Sequence, residues 1–327
     1  MTAWKQLIFD EEIDFSKKLE KVYHYQKENN AVYRRFCDAL SYEFDPDNKP
    51  PLLPIQAFKD AVVTCKPRQK PDLVFQSSGT SGMERSRHLV ADEELYQESL
   101  RRGFEQFYDL GNAVIWAYTP GYSENPDSSL LWMLHELIKE DASGSSHFLP
   151  LDEPLDKEDI KKVTDQGKQL FLFGAAFGLL DLLEMESPEL PGNSIVIETG
   201  GMKTHRRELE KEELHRRLAE GFGLHPNRIH SEYGMCELLS QAYATGGQWF
   251  QTPPWMEVSV WNPENPLSEM PPFQEGLIGI TDLANVHSCS FVLTGDRGVR
   301  HKDGRFKVLG RWNPKDLRGC NFLIDED

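Results

Sequence analysis

The feature that most constrains the fold of this chain is an alternation of apolar runs with amphipathic segments along its middle. The apolar runs are AVIWAY (113–118), QLFLFGA (169–175), SIVIETGG (194–201) and the shorter RIHSEYG (228–234), a strand or a turn. The intervening segments space their apolar residues as helices do, and Ser128 is the predicted N-cap of one of them. This alternation predicts an α/β fold with a parallel sheet covered on both faces, which binds ligands at the carboxyl ends of its strands.

The pattern outside this region completes a predicted outline of the chain. Helices are predicted over residues 15–40, 92–108, 128–140, 177–186 and 205–223. Short apolar segments, predicted to be antiparallel strands, lie at residues 256–261, 276–281, 290–295 and 306–310. We therefore predict one domain over 1–327, with an α/β core at 1–254 and a smaller β-rich part at 255–327. The segment 171–183 is either the wall of an apolar tunnel or, the favoured alternative, a buried junction of a strand with a helix.

Charge and cysteine content exclude several classes of partner and site. The formal net charge of −17 argues against nucleic acid or an anionic membrane as the main partner. The apolar run at residues 170–180 is shorter than the roughly 18 residues of a membrane span, and the acidic N-terminus is unlike a signal peptide. Five scattered cysteines without a CxxC pair predict free thiols. We expect a cytoplasmic protein.

One loop, SSGTSG, has a composition suited to binding phosphate. It consists of Ser77, Ser78, Gly79, Thr80, Ser81 and Gly82. Its glycines let backbone N–H groups converge on an anion, its hydroxyls add donors, and Arg85, Arg87 and His88 are able to add positive charge. It is not a Walker loop, because Met83 and Glu84 stand where a lysine is required. From the loop alone, a flexible turn is the favoured interpretation.

Four further stretches carry residue types that suit a nucleotide. They are ETGGMK (198–203), SEYGMCE (231–237), LTGDRG (293–298) and VLGRWNPKDLRGC (308–320). Glycines allow close approach to a flat ring, and Asp296 follows a predicted strand where a carboxylate can accept bonds from both hydroxyls of a ribose. Each residue also has a plain alternative: Tyr233 as a core aromatic, Glu237 as an acid at a helix N-terminus, Asp296 as a turn former.

In this order the stretches resemble the motifs of the adenylate-forming superfamily of acyl-activating enzymes. SSGTSG resembles its phosphate loop, SEYGMCE its Tyr-Gly-x-Thr-Glu motif, LTGDRG its ribose-binding Asp, and Gly310-Arg311 its hinge-side Arg. The chain is most similar to the acyl-protein synthetases of bacterial bioluminescence, and less so to phenylacetate–CoA ligases. PLLPIQAFK upstream and DLRGCN near the end extend the likeness over nearly the whole chain.

The resemblance implies a fold like the N-terminal domain of adenylate-forming enzymes, without their C-terminal lid domain. It also implies ATP and Mg²⁺ as cofactors, and activation of a carboxylic acid, expected to be a fatty acid, as acyl-AMP. The residues it assigns to the phosphates and the nucleotide are Ser77, Ser78, Gly79, Thr80, Ser81, Gly82, Gly200, Gly201, Tyr233, Gly234 and Asp296. It assigns Tyr233 to adenine, Asp296 to the ribose with Arg311 nearby, and Glu237 to Mg²⁺.

The resemblance further implies transfer of the acyl group to a cysteine near the C-terminus, here Cys320. Cations at Arg311, Lys315 and Arg318 would lower the pKa of its thiol, as a nucleophile requires. An acyl reductase, an acyltransferase or a carrier protein would then receive the group. The alternatives are a ligase that uses coenzyme A or a carrier protein, with Cys320 structural, and a non-catalytic subunit that binds a nucleotide or an acyl group.

Three departures from the family pattern bear on this hypothesis. Cys236 stands where threonine is usual, so one hydroxyl near the phosphates is missing, and its thiol is a second candidate acyl acceptor. The phosphate loop lacks the usual lysine, which Arg85 or Arg87 would have to replace. The usual lid of about 100 residues, with its catalytic lysine, does not follow the Gly-Arg motif; the bioluminescence synthetases share this departure.

Overall fold

The computed structural model describes residues 3–77, 85–120, 127–185, 188–200 and 210–312. The strands are β1 Leu53–Pro54, β2 Leu73–Gln76, β3 Arg87–Val90, β4 Ala113–Tyr118, β5 His147–Phe148, β6 Gln169–Ala175, β7 Ile195–Thr199, β8 Ile229–Tyr233, β9 Ala242–Ala244, β10 Met256–Asn262, β11 Asn265–Glu269, β12 Glu275–Asp282, β13 Phe291–Arg300 and β14 Phe306–Arg311. The helices are α1 Ala3–Phe9, α2 Phe15–Asn29, α3 Ala31–Ala39, α4 Ala57–Asp60, α5 Glu93–Glu105, α6 Ser129–Lys139, α7 Lys157–Asp165, α8 Ala176–Glu184 and α9 Lys211–Gly221.

The predicted parallel sheet is present, in the strand order β5-β4-β6-β7-β8-β9. All of its pairings are parallel except that of β8 with β9, which is antiparallel. Both faces of the sheet are buried: in β4, Val114 and Trp116 pack on one hydrophobic core, whereas Ile115 packs on the other. Strands buried on both faces read as continuous apolar runs, which is why AVIWAY and QLFLFGA stand out in the sequence.

The predicted helices are present with small changes of boundary. Ser128 accepts a hydrogen bond from the backbone N–H of Leu131 and caps α6, as predicted. The helical pattern over 15–40 is divided into α2 and α3, because the side chain of Asn30 accepts from the N–H groups of Val32 and Tyr33 and starts a new helix. Residues 171–183 form the direct junction of β6 with α8. Most of their large side chains lie in the cores, whereas Phe177 is only partly buried.

The C-terminal strands form a second sheet, in the order β1-β13-β12-β10-β11, with β14 paired to β13. The pairings among β10 to β14 are antiparallel, as predicted. β1 joins this sheet by parallel pairing with β13. The N-terminal helices also pack here, since the side-chain amide of Gln26 donates to the backbone carbonyls of Asn285 and Val286. The β-rich part therefore shares its core with the first 60 residues of the chain.

A separate hairpin, β2 and β3, leads into and out of the SSGTSG segment. Gln76 pairs with Arg87, and beyond this pair the backbone N–H of Ser77 donates to the carbonyl of Ser86 (3.1 Å). Strand β3 was not predicted, although RSRHLV alternates exposed and buried side chains as a strand does. No helix within the described ranges is long and apolar enough to cross a membrane.

Candidate active site

The described part of the predicted site is assembled at the carboxyl end of the parallel sheet. Thr199 at the end of β7 lies opposite Glu232 in β8, so Gly200 and Tyr233 follow at neighbouring strand ends. Gly200 has φ of +76°, a conformation that favours glycine. The predicted site residues that lie outside the described ranges are Ser78, Gly79, Thr80, Ser81, Gly82, Gly201 and Cys320.

Asp296, predicted as the ribose ligand, has one partner on each carboxylate oxygen. The hydroxyl of Tyr233 donates to Oδ2 (2.9 Å), and Nε of Arg311 lies 3.0 Å from Oδ1. Asp296 and Arg311 are directly opposed in the pairing of β13 with β14. Asp296 is buried, whereas the Arg311 side chain is 68% exposed. The structure thus brings three predicted residues together, from β8, β13 and β14.

The ring of Tyr233 is enclosed by aromatic side chains on the protein side. Phe250 and Phe306 contact it edge-on, with ring centroids 5.9 and 5.5 Å away. Burial, together with the neighbouring Asp296 carboxylate, raises the pKa of Tyr233 well above its usual value, so its hydroxyl keeps its proton and donates. The stacking of Tyr233 on adenine stays a prediction.

Glu237, predicted as the Mg²⁺ ligand, is connected to the hairpin by Ser86. The hydroxyl of Ser86 donates to Oε1 of Glu237 (2.5 Å), and both residues are buried. The N–H of Ser86 in turn donates to the hydroxyl of Ser77 (3.1 Å). The first residue of the predicted phosphate loop is therefore two hydrogen bonds away from Glu237, although 160 positions separate them in the sequence.

His88 corrects one expectation, because it does not add positive charge beside the phosphates. It is fully buried, its Nδ1 is 2.7 Å from the carbonyl oxygen of Cys236, and its Nε2 is 3.0 Å from Oδ1 of Asn285. Burial lowers the pKa of His88 to about 4, so the ring is neutral near pH 7. Asn285 completes the support by donating to the carbonyl of Glu237 (2.7 Å). Together these side chains fix the turn that carries Glu237.

The Cys236 thiol is poorly suited to act as an acyl acceptor. It is buried, and burial followed by the neighbouring Glu237 carboxylate raises its pKa well above the usual thiol value. A protonated thiol is a weak nucleophile. The position where the family pattern has threonine therefore holds a protonated thiol beside Ser86.

Sequence reasoning missed a buried pair of carboxylates beneath the site, Glu198 and Glu232. Glu198 Oε1 lies 3.1 Å from Nζ of Lys211 and 3.3 Å from Nε2 of His215. Despite burial, Lys211 and the other partners lower the pKa of Glu198 to about 2. Glu232 accepts from the Thr199 hydroxyl, and burial together with the Glu198 charge raises its pKa to about 7. Both residues fall within the quoted motifs, but only the pairing of β7 with β8 brings them together.

Gly234 leaves room for the carboxylate of Glu232. A Cβ atom at position 234 would lie 2.5 Å from Oε1 of Glu232, closer than side-chain atoms approach one another. The carboxylate of Glu232 therefore occupies the space under the turn that follows Tyr233.

The donor set of the site fits Mg²⁺ bound together with a nucleotide. Within the described ranges, no three or more His, Cys, Asp or Glu side chains cluster as an all-protein metal cage would. Mg²⁺ is commonly held by one or two carboxylates and the phosphates of a substrate, and it retains several waters. Glu237 is a buried carboxylate of that kind.

The fold is shared with proteins of known structure. ATP-bound MatB from Rhodopseudomonas palustris superposes with a TM-score of 0.52 at 20% identity, covering 75% of this chain and 49% of MatB. A 2-hydroxyisobutyryl-CoA ligase in complex with 2-HIB-AMP and CoA superposes with a TM-score of 0.64 at 15% identity, covering 91% of this chain and 69% of that ligase. The fold is that of the adenylate-forming enzymes, as predicted, and the chain spans about half the length of MatB.

Sequence comparison identifies the family. The family model described as acyl-protein synthetase, LuxE, matches residues 138–327, more than half of the chain. The chain therefore belongs to the LuxE acyl-protein synthetase family and is a ligase, which confirms the resemblance drawn from the motifs. It is 24% identical over 334 residues to the long-chain-fatty-acid–luciferin-component ligase of Vibrio harveyi, an alignment covering 95% of this chain and 87% of that protein.

Proposed function

We propose that this protein uses ATP and Mg²⁺ to activate a long-chain fatty acid as acyl-AMP and then transfers the acyl group to its own Cys320. Membership of the acyl-protein synthetase family supports acid activation. The Vibrio harveyi relative is named as a ligase of long-chain fatty acids, which supports that substrate class. An acyl reductase, an acyltransferase or a carrier protein would be the recipient of the acyl group.

The observation that carries the nucleotide part of this proposal is the arrangement around Asp296. Its buried carboxylate is held by the Tyr233 hydroxyl and by Arg311, which leaves each oxygen able to accept one further bond. The two neighbouring hydroxyls of a ribose would supply those two donors. Arg311 is exposed on its other side, where a phosphate could contact it.

In the first reaction, a carboxylate oxygen of the fatty acid attacks the α-phosphorus of ATP. The bond between the α-phosphorus and its bridging oxygen to the β-phosphate breaks, and pyrophosphate leaves with the electron pair. Mg²⁺ held at Glu237 would supply positive charge to the phosphates. Ser77 and the rest of SSGTSG, with Arg85 and Arg87, would donate hydrogen bonds to the phosphate oxygens.

In the second reaction, the Cys320 thiolate attacks the acyl carbonyl carbon, AMP leaves, and the thiol proton has already passed to solvent. Support for Cys320 comes from the other cysteines. Cys37, Cys65, Cys236 and Cys289 are buried. Burial is the main cause that raises the pKa of each of these four thiols, to about 12 for Cys65. Each therefore stays protonated near neutral pH, and none is prepared as a nucleophile.

The test is the intact mass of the protein after incubation with ATP, Mg²⁺ and a panel of fatty and aryl acids. We expect the wild-type chain to gain one acyl group, which hydroxylamine removes, and Cys320→Ala to gain none. Cys236→Ala is the matched control and should be acylated as the wild type is.

Other outcomes would replace parts of the proposal. An adduct that survives in Cys320→Ala but disappears in Cys236→Ala moves the acceptor to Cys236. AMP release that depends on added coenzyme A, without any adduct, indicates a CoA ligase. ATP binding without AMP release for any acid indicates a non-catalytic subunit.

A further inference from the structure

We infer that Ser86 is a positioning residue that orients the Glu237 carboxylate toward the Mg²⁺ that accompanies ATP. The inference rests on the proposed function, because it concerns the nucleotide and the metal of that reaction. No role for Ser86 follows from the sequence, because the motif assigns the phosphates to SSGTSG and to the flanking arginines.

The first argument is the contact itself. The Ser86 hydroxyl donates to Oε1 of Glu237 at 2.5 Å, between two side chains that are 2% and 5% exposed. A hydrogen bond to a charged acceptor is short and strong when water is excluded. With Oε1 engaged, the rotation of the carboxylate is restricted, and the direction of Oε2 is set.

The second argument is that Ser86 is itself fixed. Its N–H donates to the Ser77 hydroxyl (3.1 Å), and its carbonyl accepts from the Ser77 N–H (3.1 Å). The next residue begins β3, and His88, two residues on and on the same side of the strand, binds the carbonyl of Cys236. The Ser86 hydroxyl is therefore held in place by the contacts of its own backbone with Ser77 and by the contact of His88, two residues further on.

The third argument comes from Cys236. The family pattern has a hydroxyl at this position, and here the group is a buried thiol, a weak hydrogen-bond donor, that lies beside Ser86. Ser86, directly before β3, is thus a hydroxyl of the described site that reaches Glu237 from a distant part of the chain. Hydrogen-bond donors to a metal-binding carboxylate typically change metal affinity by roughly 10- to 100-fold when they are removed.

The test is calorimetric binding of ATP to the full chain, over a range of Mg²⁺ concentrations and in EDTA. For Ser86→Ala we expect the Mg²⁺ concentration at half-maximal enhancement of ATP binding to rise by roughly 10- to 100-fold. The affinity for ATP in EDTA should stay within about threefold of the wild type. Ser86→Thr keeps the hydroxyl and should restore the wild-type Mg²⁺ requirement.

The matched control is Ser288→Ala. Ser288 is also 2% exposed, but its hydroxyl donates to the carbonyl of Val63, away from Glu237. This variant should retain the wild-type Mg²⁺ requirement, whatever its effect on thermal unfolding. In a Glu237→Gln background, Ser86→Ala should produce no further change, because the group it orients is no longer a charged ligand.

Two results would overturn the inference. One is a wild-type Mg²⁺ requirement in Ser86→Ala with the fold intact by circular dichroism. The other is an equal shift in Ser86→Ala and Ser288→Ala, which would indicate a general loss of packing. If the wild-type chain binds no ATP with or without Mg²⁺, the proposed function fails first, and this inference fails with it.

Discussion

Four buried carboxylates lie around the predicted site, and the two pairs into which we divide them are compensated in different ways. The inner pair, Glu198 and Glu232, is compensated by Lys211, His215 and Thr199, all of which belong to the surrounding elements. The outer pair is Glu237 and Asp296.

The outer pair is held by hydroxyl groups and by the exposed Arg311. The carboxylates of the inner pair are compensated by groups of the protein itself and so have a structural role. Each oxygen of Asp296, in contrast, can accept one further bond beside the exposed Arg311, and Glu237 is the metal ligand that we propose. We therefore expect changes in the inner pair to affect stability, and changes in the outer pair to affect nucleotide binding.

The largest effect on stability is expected from Glu198→Ala. It removes the carboxylate that Lys211 and His215 contact, and removal of one partner from a buried ion pair costs about 3 kcal/mol or more. The free energy of unfolding, measured by urea denaturation at pH 7, should fall by that amount. The control is Glu213→Ala. Glu213 lies in α9, the helix that also carries Lys211 and His215, but it pairs with Arg216 and Arg217 on the exposed side. Equal losses in both variants would contradict the distinction.

The next effect concerns ATP affinity in Asp296→Asn. The amide keeps the size of the side chain but loses the charge that strengthens two ribose hydrogen bonds, at about 1.5 kcal/mol each. The dissociation constant for ATP should increase on the order of 100-fold, with little change in the unfolding midpoint. The control is Asp303→Asn, an exposed carboxylate that binds Arg305 in the turn between β13 and β14. Wild-type ATP affinity in Asp296→Asn would exclude it as a ribose ligand.

A smaller effect, with a defined pH dependence, is expected from Glu232→Gln. The pKa of Glu232 is raised from 4.5 to about 7, so the folded state retains a proton that the unfolded state has lost between these values. The contribution of Glu232 to the free energy of unfolding is therefore fully present below pH 4.5, and it is lost as the pH rises through 7. The variant lacks this loss and should be more stable than the wild type by on the order of 2 kcal/mol at pH 8.

The window for this measurement is pH 5 to 8. The pKa of Glu198 is lowered to about 2, so its contribution is lost only as the pH falls below about 4.5 and does not overlap. The pKa of Asp282, raised to about 6, affects wild type and variant alike. An unchanged difference between variant and wild type from pH 5 to pH 8 would show that Glu232 does not titrate there.

The smallest effect is expected from Arg311→Ala. Because the side chain is 68% exposed, its ion pair with Asp296 should stabilise the fold by no more than about 1 kcal/mol. ATP affinity should fall about fivefold at low salt. That difference should shrink at roughly 1 M salt, where the screening length is about 3 Å. A large loss of stability would instead make Arg311 part of the structural group.

The sequence predicted those parts of the molecule whose signals are local. Buried strands such as β4 and β6 appear as uninterrupted apolar runs, and Ser128 marks the start of α6 by its capping chemistry. Motifs with a fixed residue order led to Tyr233, Asp296 and Arg311, which the structure joins by hydrogen bonds and an ion pair.

The contacts that the sequence did not predict join residues far apart in the chain. Ser86 and Glu237 are 151 positions apart, and no local pattern connects a serine in RSRH with a glutamate in SEYGMCE. Likewise, His88 next to two arginines suggested a basic cluster, whereas the alternation of β3 directs its side chain into the core. The sequence shows which residues can carry a charge, but whether a side chain is buried depends on how the strands pair.

The hairpin of β2 and β3 has a consequence for how this site can change in evolution. Gln76 and Arg87 are paired across the hairpin, so the two ends of the segment between them lie close together. Residues can be inserted or removed between such paired ends at little entropic cost, since the loop-closure term grows slowly with length. Relatives can therefore differ in the length and composition of the loop that follows Ser77, while the distance from Ser86 to Glu237 stays constant. The loop that we propose binds the phosphates can thereby change in length without moving Ser86, the residue that we propose positions Glu237.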